Sequence, residues 1–351
     1  MDRISRRAVL KSLGLIGFAL TPLQQYTARA ATQGGSPQDL TPHWNGEPFG
    51  RITFDDMNAR AEPNVNAEVL NILKRDMVVP VREAIVGQHV FLNNDLWLET
   101  PYGYLYSSYV QPMHYYLPQT PRADLGEGMW AEVIVPFSDA YWDTTDADPE
   151  RLVSRQTHKS VYYLKELVKG KDGKSWYLVE EPYQSYYMRA THLRIIAPEE
   201  MSPISPEVDP RDKRVEVDLG KQLVLCYEKE QIVFAARAST GAGDFGTPRG
   251  KFRIHDKRAG TRMIGGSASD NVGDYDLPGV PFTAYFTGDW AAIHGAYWHN
   301  DFGIPRSHGC VNLPPDASRW IWRWTTPYVD YHALVYQIKN GYEGTPVIVD
   351  G

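Results

Sequence analysis

Cysteine is nearly absent from this chain: 351 residues hold only Cys226 and Cys310. Two cysteines exclude a multiply stapled scaffold and leave room for one bridge at most. Positive charge is also in deficit, with 36 Lys and Arg against 43 Asp and Glu and a formal charge of −7. A phosphate-binding surface needs clustered cations, so nucleic acid is not an expected partner. Long apolar runs are missing too, and no segment reaches the ~18 to 20 residues that cross a bilayer as a helix. What is abundant is aromatic surface, 10 Trp and 22 Tyr, in a chain long enough for two or three domains.

The N-terminus has three parts in a telling order. Ser5-Arg6-Arg7-Ala8-Val9-Leu10-Lys11 is followed by a modest apolar run from Leu13 to Leu23 and by Ala28-Arg29-Ala30. That order resembles a twin-arginine export signal, 1–30, with cleavage after Ala30. Removing it takes away five basic residues and one acidic residue, which moves the formal charge from −7 to −11. The expected product has no transmembrane anchor and works outside the cytoplasmic membrane, in the periplasm or cell wall.

Near the other end, Ile293-His294-Gly295 precedes Arg306-Ser307-His308-Gly309-Cys310-Val311-Asn312-Leu313. A cysteine serves as a nucleophile only as the thiolate, which calls for a base or cation within reach and backbone donors for the oxyanion it creates. This stretch can supply all of these. Gly295 and Gly309, beside the histidine and the cysteine, allow tight turns and close substrate approach. His294, His299, Asp301, His308 and Cys310 are all possible zinc ligands within seventeen residues, and their spacing alone leaves a metal site open. Neither Cys-x-x-Cys nor His-Glu-x-x-His occurs, which counts against a metal, and the thiol chemistry itself needs no organic cofactor. Cys226, in the apolar run Leu223-Val224-Leu225-Cys226-Tyr227, reads as a small buried hydrophobe; a bridge from it to Cys310 would block the thiol chemistry.

The motifs resemble the L,D-transpeptidase catalytic domain (YkuD-like), whose signature is His-Gly, a loop, then Ser/Thr-His-Gly-Cys-x-Asn/Arg. Twelve residues lie between His294 and Ser307. Ser239-Thr240-Gly241, Thr247-Pro248-Arg249-Gly250-Lys251-Phe252-Arg253-Ile254 and Gly344-Thr345-Pro346-Val347-Ile348-Val349 resemble other stretches of that family, so the likeness runs from about Val215 to Val349. It implies a mainly β catalytic domain with few helices, in which Cys310 attacks the third residue of a peptidoglycan tetrapeptide stem. Terminal D-alanine leaves, and a neighbouring stem amine resolves the thioester into a 3→3 cross-link. His294 is then the base and counter-cation, oriented by a backbone carbonyl, plausibly that of Gly295. The amides of Gly309 and Cys310 are the oxyanion donors, and His308 positions the loop or touches substrate. Carbapenem acylation of Cys310 is a further implication. Ser307, Asn312, Arg306, Tyr297 and Trp298 are candidates for the substrate site; Ser307 and Asn312 can equally brace the loop, Arg306 can sit in a salt bridge, and the two aromatics can be core. Lys257 to Phe286 is long enough for a lid. Three rivals remain: an L,D-carboxypeptidase, a cysteine endopeptidase on stems, and a wall-binding module with a degenerate catalytic domain.

Upstream, the expected order is a flexible leader (31–50), a small barrel resembling a bacterial SH3-like domain (51–118), a second degenerate one (119–198), a proline-rich linker (199–213) and the catalytic domain (214–351). The tandem repeat rests on Asn94-Asp95-Leu96-Trp97-Leu98-Glu99 against Asp172-Gly173-Lys174-Ser175-Trp176-Tyr177-Leu178-Val179. Thirteen tyrosines lie between Trp97 and Ala190, suited either to binding glycan or to filling barrel cores. In the catalytic domain three strands open a meander, and Ala317 to Thr325 predicts a helix capped by Asp316.

Overall fold

The computed structural model describes residues 44, 46–91, 93–114, 116–144, 149–182, 184–265, 275–337 and 344–351. Residues 1–30, expected to form an export signal, and most of the expected leader lie outside the described residues. The leader's end is already part of the fold: Trp44 is buried and the first strand begins at Phe49.

Fifteen short strands precede the catalytic region. The first eight are β1 (Phe49–Ile52), β2 (Met57–Arg60), β3 (Val69–Leu73), β4 (Val78–Pro80), β5 (Glu83–Phe91), β6 (Asn94–Thr100), β7 (Gly103–Tyr106) and β8 (Val110–Met113). Seven follow: β9 (Met129–Val133), β10 (Phe137–Tyr141), β11 (Leu152–Thr157), β12 (Val161–Lys169), β13 (Ser175–Glu181), β14 (Gln184–Arg189) and β15 (Leu193–Ile195). Pairing repeats between the two sets. The sheets β3-β2-β7-β6-β5 and β4-β1-β8 correspond to the run β11-β10-β14-β13-β12-β9-β15. A 3-10 turn stands before the last strand of each set, Ser107–Tyr109 and Ala190–His192. The one difference has a local cause: β12 pairs with both β13 and β9, whereas in the first set Pro80, which has no N–H to donate, ends β4 and hands the second pairing to β5. Trp97 and Trp176 sit at equivalent places on β6 and β13, both buried. No described tyrosine between Trp97 and Ala190 is exposed, and Tyr106, Tyr162, Tyr177 and Tyr186 are buried in the cores.

The remaining strands are β16 (Lys213–Asp218), β17 (Leu223–Glu228), β18 (Gln231–Arg237), β19 (Gly250–Arg253), β20 (Asp256–Gly265), β21 (Tyr275–Tyr285), β22 (Ala292–Gly295), β23 (Val311–Leu313), β24 (Tyr336–Gln337) and β25 (Pro346–Asp350), with a helix, α1 (Pro315–Trp324). They form two five-stranded sheets, β18-β17-β16-β25-β19 and β23-β22-β21-β20-β24. The inward residues of both, among them Val215, Val217, Phe234, Ile293, Val311 and Leu313, meet Ile321 and Trp324 of α1 in one core. Cys226 belongs to that core as a free thiol. The protein is mainly β, and no helix among the described residues is long and apolar enough to cross a membrane.

Three expectations change. Asp316 does not cap α1: Pro314 holds the cap position with Pro315 at the first turn, and Asp316, inside the helix, faces Lys159 of the second set at 3.3 Å. The stretch Lys257 to Phe286 is chiefly the β20–β21 pair, and Lys257 itself is buried, donating to the carbonyls of Thr325 and Pro327, both at 2.9 Å. The connection within that pair, 266–274, lies outside the described residues. The proline-rich linker packs against α1: Glu200 takes Arg194 and Arg319, each at 2.8 Å, and Arg323 donates to the Ser202 carbonyl at 2.7 Å.

Candidate active site

The site is built on a parallel strand pair. Ile293, His294 and Gly295 of β22 lie beside Val311, Asn312 and Leu313 of β23, so Cys310, just before β23, stands at the mouth of the strand next to His294. Parallel neighbours need a crossover, and residues 296–310 provide it. Ser239 and Asn312 exchange both backbone hydrogen bonds at 2.9 Å, while Arg306 and Ser307 donate to the Thr240 carbonyl at 2.8 and 3.0 Å. The Ser239-Thr240-Gly241 stretch is therefore the brace along which the thiol loop is laid.

Within that loop Ser307 closes the turn. Its Oγ donates to the Cys310 carbonyl and accepts the Gly309 N–H at 3.2 Å. The Gly309 amide, expected to face an oxyanion, is thus already committed, whereas the Cys310 N–H has no acceptor among the described residues. Gly309 has φ +111°, and an added Cβ would meet nothing closer than 3.9 Å. Its requirement for glycine is conformational. Gly295 is glycine for another reason: a Cβ there would lie 2.7 Å from both Pro281 Cγ and Ser318 Oγ. It lets α1 close on β22, where substrate approach had been the expectation.

His294 is buried, and its Nδ1 lies 3.1 Å from the Gly295 carbonyl. That contact assigns the proton to Nδ1 and leaves Nε2 as the acceptor. Burial, partly opposed by the Gly295 bond, pushes the imidazole down to about 4. Cys310 moves the other way. Burial pushes its thiol up to about 11, with Asp289 adding to the rise and the Ala292 N–H opposing it. At neutral pH the resting pair is therefore a neutral imidazole and a neutral thiol, and no hydrogen bond joins them among the described residues. Burial thus disfavours the resting counter-cation expected of His294 and leaves its Nε2 as an acceptor.

The flanking candidates divide. His308 is exposed between Phe245 and Tyr275, at 4.6 and 5.5 Å between ring centres. Trp298 is half-buried, with its ring 5.8 Å from that of His294. Tyr297 is buried, its hydroxyl donates to the Pro278 carbonyl and its own carbonyl accepts from Arg51 of the first β set at 2.7 Å. Asn312 is buried with its side-chain amide 3.0 Å from His299 Nε2. Since His299 Nδ1 accepts the Asp301 N–H at 3.2 Å, the neutral ring carries its proton on Nε2, and Asn312 must turn its amide oxygen there. Arg306 pairs with the buried Asp301 while remaining partly exposed. Among the described residues no three His, Cys, Asp or Glu side chains converge as ligands of one ion.

Sequence reasoning missed several neighbours of the thiol. Tyr275 and Tyr285 are held protonated by burial and additionally by the charge that Cys310 can carry, Tyr285 up to about 12. Trp290, at φ +71° and exposed, stacks edge-on against Tyr285 at 5.4 Å. None of the three lies in a motif; Tyr275 and Tyr285 are revealed by the β20–β21 pairing and Trp290 by its contact with Tyr285. The first β set also reaches the crossover: Asn93 Nδ2 donates to the Gly303 carbonyl at 2.6 Å, and Asn300 bonds the carbonyls of Ser107 and Ser108 at 3.1 and 3.2 Å.

Comparison with known proteins bears on the same region. An Enterococcus faecium L,D-transpeptidase is 23% identical, with 40% of this chain and 50% of that one covered at a TM-score of 0.31. One from Xylanimonas cellulosilytica is 28% identical over 39% of this chain and 60% of its own, at 0.27. One from Mycobacterium smegmatis is 19% identical over 66% of this chain and 95% of its own, at 0.32. The chain spans half the length of the Enterococcus protein, and TM-scores this low leave the assignment to the sequence motifs. No curated protein matches. The family model of the L,D-transpeptidase catalytic domain, YkuD, matches residues 212–349, and the segment that carries Cys310 and His294 is an L,D-transpeptidase catalytic domain.

Proposed function

We propose that the protein is an exported peptidoglycan L,D-transpeptidase that forms 3→3 cross-links from tetrapeptide stems through a Cys310 thioester. The observation that supports this reading is the pairing of β22 with β23, which runs the strand carrying His294 alongside the one that Cys310 leads into, with His294 Nδ1 tied to a carbonyl and Nε2 left to accept a proton. In the first half-reaction the sulfur attacks the carbonyl of the third stem residue as its proton passes to His294 Nε2. The oxyanion is met by the Cys310 N–H. Collapse breaks the peptide bond, the imidazolium returns its proton to the departing amine, and D-alanine leaves with the thioester in place. An acceptor amine then loses its proton to His294 while attacking the thioester, and the thiol is regenerated.

Neutral partners suit this sequence. A thiol that ionises only during attack wastes no electrostatic energy in the resting site, and the charge separation forms where the Cys310 amide can meet it. His308, Phe245, Tyr275 and Trp298 frame the approach. The two upstream β sets read as tandem SH3-like units, supported by their common pairing order; wall attachment through them is part of the proposal, as is export by the twin-arginine route.

The test is intact-mass spectrometry of the protein with a disaccharide-tetrapeptide, beside Cys310→Ala. Loss of D-alanine together with a cross-linked dimer, absent from the variant, supports the reading. A monomer shortened by D-alanine alone makes it an L,D-carboxypeptidase, a stem cut at an internal bond with no dimer an endopeptidase, and an untouched substrate returns weight to a wall-binding role.

A further inference from the structure

The sheet edge formed by β19 carries a charge pattern that the catalytic mechanism does not use. Alternate residues of a strand share a face, as Lys251 and Arg253 of β19 do, with Arg249 just before the strand; all three are exposed. None forms an ion pair among the described residues, in a chain with 43 acidic side chains against 36 basic ones. Arg253 donates once, to the Gly344 carbonyl at 2.9 Å, and His255, next in the series, is held by the Thr287 carbonyl at 3.0 Å. Three unpaired cations in a row on an acidic protein are a poor surface for its own stability and a good one for an anion.

Beside that row is a groove of about 730 Å³, bounded by Lys251 and Arg253 and floored by Phe286, Pro346 and Ile348. Register explains the arrangement, because Lys251 pairs with Ile348 and Arg253 with Pro346 across β19 and β25. The groove runs to Gly288. That glycine belongs to the turn between β21 and β22, whose Asp289 raises the Cys310 thiol and whose following residue Ala292 donates toward it. The groove and the nucleophile thus lie on either side of one short turn.

We propose that this groove docks the carboxylate-bearing glycopeptide polymer on which the enzyme acts, a proposal that rests on the function given above. Cations about 7 Å apart along the strand meet free carboxylates of the stems, and the apolar floor takes their methyl groups and sugar faces. As an edge strand, β19 also offers its outer backbone groups to an extended peptide. Docking here raises the local concentration of stems near Cys310 without touching the chemical step.

The experiment is co-sedimentation of the intact chain with sacculi stripped of phosphate-containing polymers, across a salt series. The charge-reversed Lys251→Glu/Arg253→Glu protein and the neutral Lys251→Gln/Arg253→Gln protein run alongside it. The reversed protein should sediment roughly tenfold less at low salt and lose most of its salt dependence, the neutral one lying between, as expected for exposed charges. Turnover of the soluble disaccharide-tetrapeptide should stay within about twofold of the parent. Unchanged sedimentation overturns the proposal, as does a parallel loss of soluble turnover, or binding by the parent only to sacculi that retain phosphate polymers. If the parent fails to turn over soluble substrate yet sediments in a charge-dependent way, the docking site stands and the catalytic reading fails.

Discussion

Alkylation of Cys310 as a function of pH separates a neutral resting pair from a thiolate–imidazolium pair. Burial raises the thiol from 9.0 to about 11, so at neutral pH it holds about one-hundredth of the thiolate of an ordinary cysteine. A more basic thiolate is the better nucleophile, with a sensitivity of about 0.4–0.5, which recovers roughly eightfold. The site should therefore react with iodoacetamide about tenfold more slowly than a free thiol at pH 7. Its rate should climb about tenfold per pH unit from 7 to 10 without a plateau. Quenched samples read by intact mass give the rate directly, with one adduct expected in the folded protein because Cys226 is fully buried. The unfolded chain supplies the ordinary thiol for comparison. His294→Ala should leave the slope unchanged, and Asp289→Asn, which removes one cause of the rise, should speed alkylation. A rate already level below pH 8, or one that collapses in His294→Ala, would refute the neutral pair.

Three other outcomes follow from the packing. Gly309→Ala places a side chain at φ +111° in open space, and should cost roughly 1–3 kcal/mol and lower kcat; Gly295→Ala, clashing at 2.7 Å with Pro281 and Ser318, should cost a similar ~1–3 kcal/mol through overpacking, so denaturant unfolding with kinetics should show activity lost per unit of stability only in the first. Arg51→Met leaves Asp76 and the Tyr297 carbonyl without their buried partner and should destabilise by about 3–5 kcal/mol, with Asp76→Leu added to it recovering part of the loss in thermal unfolding. His158, His294 and His299 are buried and held down to about 3, 4 and 3. The unfolded chain takes up these protons near pH 6.5 and the folded one does not, so stability present above pH 6.5 should fall as pH drops toward 4, by about 1.4 kcal/mol per unit for each histidine. A flat melting temperature across pH 4 to 6.5 would contradict their burial.

Legibility from sequence followed the distance over which each feature is determined. The meander of β16, β17 and β18 was readable because alternation and the turn at Lys229 are local, and Lys229 indeed takes φ +55°. Motif resemblance singled out His294 and Cys310, whose segments the β22–β23 pairing runs side by side. The fate of individual polar groups was not readable. Whether Gly309 offers its N–H to an oxyanion depends on a hydroxyl two residues away, and whether Tyr297 faces substrate or core depends on Arg51, 246 residues upstream. Asp316 looked like a cap because aspartate favours that position, but Pro314 and Pro315 already set the helix start and the second β set drew the carboxylate outward. Charge alternation along Arg249, Lys251 and Arg253 was visible in the sequence, yet without knowing that β19 is an edge its exposure carried no meaning.

The ties between the first β set and the crossover have a consequence for the order of events in folding. Arg51 to Tyr297, Asn93 to Gly303 and Asn300 to Ser107 span 246, 210 and 193 residues, among the longest loops the chain closes. Contacts of that separation form late, after the local meanders have collapsed. The contacts that tie the crossover to the first β set are therefore expected among the last to form, and a chain stalled before them should hold its local meanders while the crossover that leads to Cys310 lacks the support of Arg51 and Asn93.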